Sequence, residues 1–390
     1  MYNRLIVMQK IDYITDQISK QQEKLLKLLI SVANIPSPTG REQKKIQFIK
    51  QKINEYGVKD TSIDNAGNLI VKLPSKSKDG LKKTMLVVAH TDTACDSGEK
   101  VRIIQDERYI YGHGVCDNST GVTALLTTIE LIKKHHFEFD NNLIIAFTVG
   151  EEGLGAKRGM KQMIKDYGKQ IDAVINVESH NIGRVTNQII GQYRFKLSVE
   201  TKLGGHSFRD FSRPNANVIL AQIISDFSNL KLFQKKAKTT FNIAQIKGEG
   251  TINAISQTSS CLFEIRSEDN QKLENAKKTL NVIISKYKKQ FPDISIEINV
   301  SAQVPAVIFP SKHKIYQLTF AVQKKLGIVP KINSGNTDGD VSMAVGIPTV
   351  TIGTSNGWNT HSMDEYMEKK SLAIGIKQVF MAILTITSMY

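Results

Sequence analysis

Histidines and carboxylates stand at the ends of apolar runs along this chain: His90, Asp117, Glu152, Glu178 and His361. Two of them have a second acid at hand, Asp92 two residues after His90 and Glu151 immediately before Glu152. Imidazole nitrogens mixed with carboxylate oxygens suit divalent ions of borderline hardness, zinc first, with manganese or cobalt as alternatives. Two such ions carry four positive charges. The carboxylates of Asp117, Glu152 and Glu178 with one hydroxide would balance them, and the neutral imidazoles of His90 and His361 would complete the set. A carboxylate bridges two ions about 3.5–4 Å apart, which lets both act on one reacting oxygen. Asp117, in a turn after Gly112 and Gly114, is the expected bridge. Adjacent side chains point apart, so Glu151 and Glu152 divide the work. One binds metal and the other faces the attacking water, which makes Glu151 the expected general base. Asp92 is placed to hydrogen-bond the free nitrogen of His90 and fix its tautomer. The chemistry such a set performs is metal-assisted hydrolysis.

Residues this far apart converge only on a scaffold whose strand ends share one edge. Met85–Ala89 is a short continuous apolar run, as expected of a buried parallel strand, and His90 follows it directly. Leu143–Val149 leads into Glu151 and Glu152, and Ala173–Val177 leads into Glu178. Between them, Val122, Leu125, Leu126, Ile129 and Ile132 mark one face of a helix beginning near Thr120. Strand and crossover helix alternate, the pattern of a doubly wound α/β sheet, whose functional groups gather at the carboxyl ends of its strands. Taken singly, an HxD, a Glu-Glu pair or an Asp after glycines is an ordinary loop feature. The weight comes from each following a strand-like run, in a consistent order.

From about 187 to 304 the pattern changes to strand (193–200), helix (215–228), strand (240–247), strand (257–266), helix (269–288) and strand (294–301). This βαββαβ order predicts a ferredoxin-like α+β unit. The alternating pattern resumes with a helix near 312–326, a strand at 349–352 and a closing helix near 367–387. The expected domains are therefore residues 1–186 with 305–390, and an inserted unit, 187–304. An amphipathic helix is expected over 12–33, with a second over 41–56.

At 390 residues, two domains are the natural division. No apolar run approaches the roughly 18 residues that span a bilayer. The first residues carry no apolar core or cleavage site of a signal peptide. The three cysteines, Cys95, Cys116 and Cys261, fit neither a zinc ribbon nor a disulfide framework, so a reduced, cytoplasmic protein is expected. The formal charge of +15 is scattered lysine, as in KKHH (133–136) and QKKAK (234–238). No basic stripe interleaved with aromatics accompanies it, so nucleic acid is not the expected partner.

The ordered segments HTDT (90–93), GHGVCDNSTG (112–121), TVGEEGLG (148–155), NVES (176–179), GGHS (204–207) and HSMDEY (361–366) resemble the dinuclear zinc exopeptidase and deacylase family. That family includes peptidase T, glutamate carboxypeptidase, acetylornithine deacetylase and succinyl-diaminopimelate desuccinylase. The resemblance spans almost the whole chain. It implies that His90 and Glu178 serve one metal, Glu152 and His361 the other, and that Asp117 bridges them through a turn with a cis peptide bond after it. It implies Glu151 as base and Asp92 as the residue that orients His90. The inserted unit resembles the family's lid and dimerisation domain. By that likeness His206 reaches the neighbouring subunit's site as an oxyanion donor, and Asn253 and Arg266 bind substrate. Arg266 suits a forked grip on a carboxylate. The loop Ser334–Asp338 matches a segment near the substrate, without a defined role.

The implied activity is hydrolysis of the terminal amide of a small peptide, in the manner of peptidase T or a carboxypeptidase. An N-acyl amino acid deacylase is the alternative, and a metal-free binding protein on the same fold is the remote one. Family aminopeptidases tend to have Asp where this chain has Glu178, whereas EEGLG and the HSMDEY ending look like peptidase T. The remaining histidines, His113, His135, His136, His180 and His313, read as structural or surface positions.

Overall fold

Hydrophobic runs too short for helices and free of polar interruption form the centre of the molecule. The structure, a computed structural model, describes residues 2–76, 82–95, 101–230 and 237–390. Residues 234–236 of the QKKAK run and the His180 side chain lie outside them. The chain divides into two units, Met1–Asn187 with Phe309–Tyr390, and Gln188–Ile308.

The first unit is built on a mixed sheet. Its order is Thr61–Ile63, Leu69–Leu73, Asn142–Thr148, Thr84–His90, Ala173–His180, Thr349–Ser355, Arg184–Ile189 and Val307–Ile308, with Lys331–Gly335 also paired to Arg184–Ile189. Asn142–Thr148, Thr84–His90, Ala173–His180 and Thr349–Ser355 run parallel. Every residue of Thr84–His90 is buried, because helices cover both faces. Met85, Val87 and Ala89 point to one face, where Leu29, Leu125, Ile129, Phe380 and Ile383 pack. Leu86 and Val88 point to the other, against Met160 and Met163 of helix Arg158–Tyr167. Each such aliphatic side chain contributes roughly 1.5–3 kcal/mol on burial.

Parallel strands share one carboxyl edge. The chain leaves Thr84–His90 for Asn142–Thr148 on one side, then crosses to Ala173–His180 on the other. The crevice of this sheet therefore opens between the ends of Thr84–His90 and Ala173–His180. A smaller four-stranded sheet, in the order Gly357–Trp358, Tyr366–Glu368, Tyr109–Tyr111 and Ile104–Gln105, belongs to the same unit.

The second unit runs Gly191–Thr201, Ala216–Ser228, Thr239–Gly248, Thr258–Ser267, Asn270–Gln290 and Ile294–Val304. Its four strands are antiparallel in the order Thr239–Gly248, Thr258–Ser267, Gly191–Thr201 and Ile294–Val304. Phe195, Phe227 and Phe263 form its core with Leu220 and Leu280 from the two helices.

Two expectations are revised. The helix expected over 12–33 is two helices, Tyr2–Ser19 and Gln22–Ala33, broken at Lys20–Gln21. The closing helix Lys369–Met389 is long and apolar enough to cross a bilayer by length and composition, contrary to the sequence reading. Of that apolar stretch, 78% is buried within the protein, because the helix lies against the sheet as core.

Candidate metal centre

Each residue singled out at a strand end sits at the carboxyl edge of the large sheet or in a loop leaving it. His90 closes its strand, Glu178 lies near the end of the next, and Glu152 follows Asn142–Thr148 by four residues. His361 follows Thr349–Ser355 by six. Asp117 comes from the turn that starts helix Ser119–Lys134. Asn118 caps that helix by accepting from the Gly121 N–H, while its amide donates to Val177 O at 2.8 Å. The cap thus ties the Asp117 turn to the strand that carries Glu178. The Asp117–Asn118 peptide is cis. Gly114 is required in this turn. Its φ is +71°, and a Cβ there would lie 2.4 Å from Thr93 Cγ2.

The side chains meet as two triads that share Asp117. His90 Nε2 is 3.2 Å from Asp117 Oδ1 and 3.7 Å from Glu178 Oε2. His361 Nε2 is 3.2 Å from Asp117 Oδ2 and 3.0 Å from Glu152 Oε1. Ligand atoms of His90, Asp117 and Glu152 all lie within 4.8 Å of one another. Each triad offers one imidazole nitrogen and two carboxylate oxygens, the donor types of a zinc, manganese or cobalt site. The two oxygens of Asp117 face different imidazoles, as a bridging carboxylate does. The residues present therefore fit a pair of divalent ions.

Asp92 contacts more than the His90 ring. The acceptor nearest His90 Nδ1 is the Asp92 backbone carbonyl at 3.1 Å, with the carboxylate farther away at 3.6 Å. The carboxylate is taken up elsewhere. It accepts from the N–H groups of Glu151 and Glu152, both at 3.0 Å, and from the Thr39 hydroxyl at 2.9 Å. Asp92 thus fixes the Glu151–Glu152 loop as well as the His90 ring.

The electrostatics follow from burying so many acids together. Burial pushes the His90 imidazolium down, but Asp117, Asp92 and Glu178 outweigh it and raise the pKa well above its ordinary value. Asp117 and Glu152 raise that of His361 to about 11. Burial pushes Asp92 up, yet His90 and the loop N–H groups bring it down to about 2. Burial would also raise Glu178, but His90 and Thr337 hold it below the usual carboxyl range. Glu151 goes the other way. Burial raises it well above the ordinary value, helped by Asp338, Glu178 and Glu152. A carboxyl raised in this way is a stronger proton acceptor than an ordinary one.

Several supporting residues were not legible as such. Glu365, within the HSMDEY segment, is fully buried and accepts from the N–H groups of Gly114, Cys116 and Asp117 at 2.9, 2.7 and 2.7 Å. It holds the Asp117 turn. Thr337, in the loop left without a role, donates to Glu178 Oε1 at 2.6 Å. Asp338 beside it is buried, accepts from the Thr148 hydroxyl at 2.6 Å, and is pushed up to about 7 by its burial. His113, read as structural, is buried between the segments that follow His90 and His361.

In the second unit, His206 and Asn253 are neighbours. Ser207 N donates to Asn253 O and Ile255 N donates to Gly205 O, both at 2.9 Å. Phe208 N donates to His206 Nδ1 at 3.3 Å, so a neutral ring carries its proton on Nε2. Arg266 is not with them. It lies near the far end of Thr258–Ser267, paired with Glu264 at 3.0 Å.

Comparison with known proteins places these observations. Residues 86–385 match the model of peptidase family M20/M25/M40. Peptidase T of an Exiguobacterium species is 24% identical, over 90% of this chain and 95% of that protein. Carboxypeptidase G2 of a Pseudomonas species is 22% identical, over 88% and 84%. A tripeptidase structure from Staphylococcus aureus superimposes with a TM-score of 0.79 at 23% identity, over 94% of this chain and 98% of that one. The chain belongs to peptidase family M20/M25/M40 and is a metallo-exopeptidase or a related hydrolase.

Proposed function

We propose that the protein is a dinuclear-metal exopeptidase that hydrolyses the terminal amide bond of small peptides. The observation that carries this is the pair of triads sharing Asp117 at the carboxyl edge of the sheet. His90 and Glu178 would hold one ion, Glu152 and His361 the other, and Asp117, with an oxygen toward each imidazole, would serve both. Divalent ions bound there would supply Lewis acidity, making water more acidic and the scissile carbonyl more electrophilic. Glu151 takes the water proton and returns it to the leaving amine, a role its raised pKa suits. Asp92 keeps Glu151 and Glu152 in place through their N–H groups.

His206 donates Nε2–H to the developing oxyanion, Asn253 supports the substrate beside it, and Arg266 grips a substrate carboxylate as a fork. The register of Thr258–Ser267 separates the last of these from the other two. Thr258 pairs with Glu200 at one end and Arg266 with Gln192 at the other, roughly 25 Å apart at about 3.3 Å per residue. One small substrate meets both groups only when two copies contribute, which supports a homodimer formed through the inserted unit. A cytoplasmic location belongs to the same proposal.

The second reading is an N-acyl amino acid deacylase. Glu178 keeps it open, since the family resemblance associates Asp at this position with aminopeptidases and Glu with carboxypeptidases and deacylases alike. A library of dipeptides, tripeptides and N-acetyl or N-succinyl amino acids, with products sequenced, separates the two. Trimming of peptides alone supports the exopeptidase. Release of acyl groups with intact peptides refutes it.

A further inference from the structure

The two ligand triads are held in different ways. His90 and Glu178 lie on adjacent parallel strands at the centre of the sheet, and both are buried. His361 lies on a loop, its side chain 57% exposed and its φ at +66°, with Asn359 before it at +55°. Two left-handed non-glycine residues in one short loop cost on the order of 1 kcal/mol or more each, so other contacts must hold this conformation. Beyond Glu365, two groups do so. The Cys95 thiol donates to His361 O at 3.2 Å. The His113 ring spans two segments. Its Nε2 is 2.9 Å from Cys95 O and 3.3 Å from Cys95 N, and its Nδ1 is 3.3 Å from Ser362 O. The ring is 3% exposed and has Glu365 Oε2 at 3.9 Å from Nδ1.

We propose that His113, with the Cys95 thiol, is a positioning latch that sets the metal affinity of the outer subsite (Asp117, Glu152 and His361) and leaves the inner subsite (Asp117, His90 and Glu178) nearly untouched. The inference rests on the dinuclear reading above. The His113 ring nitrogens meet Cys95 and Ser362 backbone groups, not the donor atom of a proposed metal ligand. It acts by joining the segment after His90 to the segment after His361. Loss of that join frees the exposed imidazole, whereas the inner ligands keep their strand positions. The outer ion is therefore the one that a substitution at His113 would release.

The test is titration of the metal-free full chain with zinc, followed by calorimetry and by native mass spectrometry. The wild type takes two ions. His113→Ala takes the first with affinity within about twofold of wild type and the second about 10–100-fold more weakly. His113→Gln recovers part of the loss, because its amide reaches one of the two carbonyls. Cys95→Ala weakens the same second ion by a smaller factor. Amide hydrogen exchange over 359–365 in metal-free His113→Ala is faster than in the wild type, while that of Thr84–His90 is unchanged. Equal weakening of both ions, or two unchanged ions, overturns the latch. If His113→Ala does not fold, His113→Gln and Cys95→Ala decide on the same criterion. A wild type that takes fewer than two ions fails earlier, at the dinuclear reading, and is distinguishable on that ground.

Discussion

Replacing Lys45 with methionine stabilises the metal-free chain at neutral pH. Lys45 lies in the first turn of helix Gln43–Glu55, on the buried face with Ile46, Ile49 and Ile53, and is 2% exposed. A cation at a helix N-terminus also opposes the helix dipole. Burial lowers its pKa from 10.5 to about 8, although Asp92 and Glu365 pull the other way. The sign follows from proton counting. Between pH 8 and 10.5 the unfolded chain binds the proton and the folded chain does not, so stability rises with pH through that window. The cost of the buried ammonium is complete below pH 8. From 10.5 to about 8, at about 1.4 kcal/mol per pH unit, it amounts to about 3 kcal/mol. By pH 10 it shrinks to about 1 kcal/mol. Trp358, the chain's single tryptophan, lies in the first unit, so its fluorescence in a urea series with chelator reports that unit. Lys45→Met is expected to be more stable than wild type at pH 7, by a margin that narrows toward pH 10. A variant that is less stable at pH 7, or a margin independent of pH, refutes the reasoning.

Glu151→Gln keeps both metals and lowers turnover by about 10²–10⁴-fold, read from steady-state rates alongside metal analysis; retained turnover removes Glu151 from the mechanism. Glu365→Ala leaves the N–H groups of Gly114, Cys116 and Asp117 without their acceptor and destabilises the first unit by about 3 kcal/mol or more, measured by urea denaturation. The His361 proton, held by Asp117 and Glu152, contributes stability that is complete below pH 6.5 and lost as pH rises through about 11. Metal uptake at pH 8 must therefore displace it, and calorimetry in buffers of different ionisation enthalpy is expected to show proton release.

The sheet was legible because its central strands are buried on both faces. Thr84–His90 and Asn142–Thr148 read as unbroken apolar runs, and the proposed ligands stand where those runs stop. The smaller sheet was not legible. Its strands, such as Ile104–Gln105 and Gly357–Trp358, are two or three residues long and carry no measurable period. The break at Lys20–Gln21 has no glycine or proline to announce it. Glu365 and His113 act on backbone groups of distant segments, and such partners leave no trace in local spacing. The burial of Lys45 is not announced by QKKIQ, since nothing in sequence marks the buried side of a mixed helix face.

Under the proposed function, Asp117 joins two metal-binding triads in one hydrolytic site. The direct measurement is metal content of the full-length protein by elemental analysis, before and after chelation, with amide hydrolysis followed on the same samples. Close to two divalent ions per chain are expected, with activity lost on their removal and recovered only when both return. One ion or none per chain in a fully active enzyme, or hydrolysis that survives chelation, contradicts it.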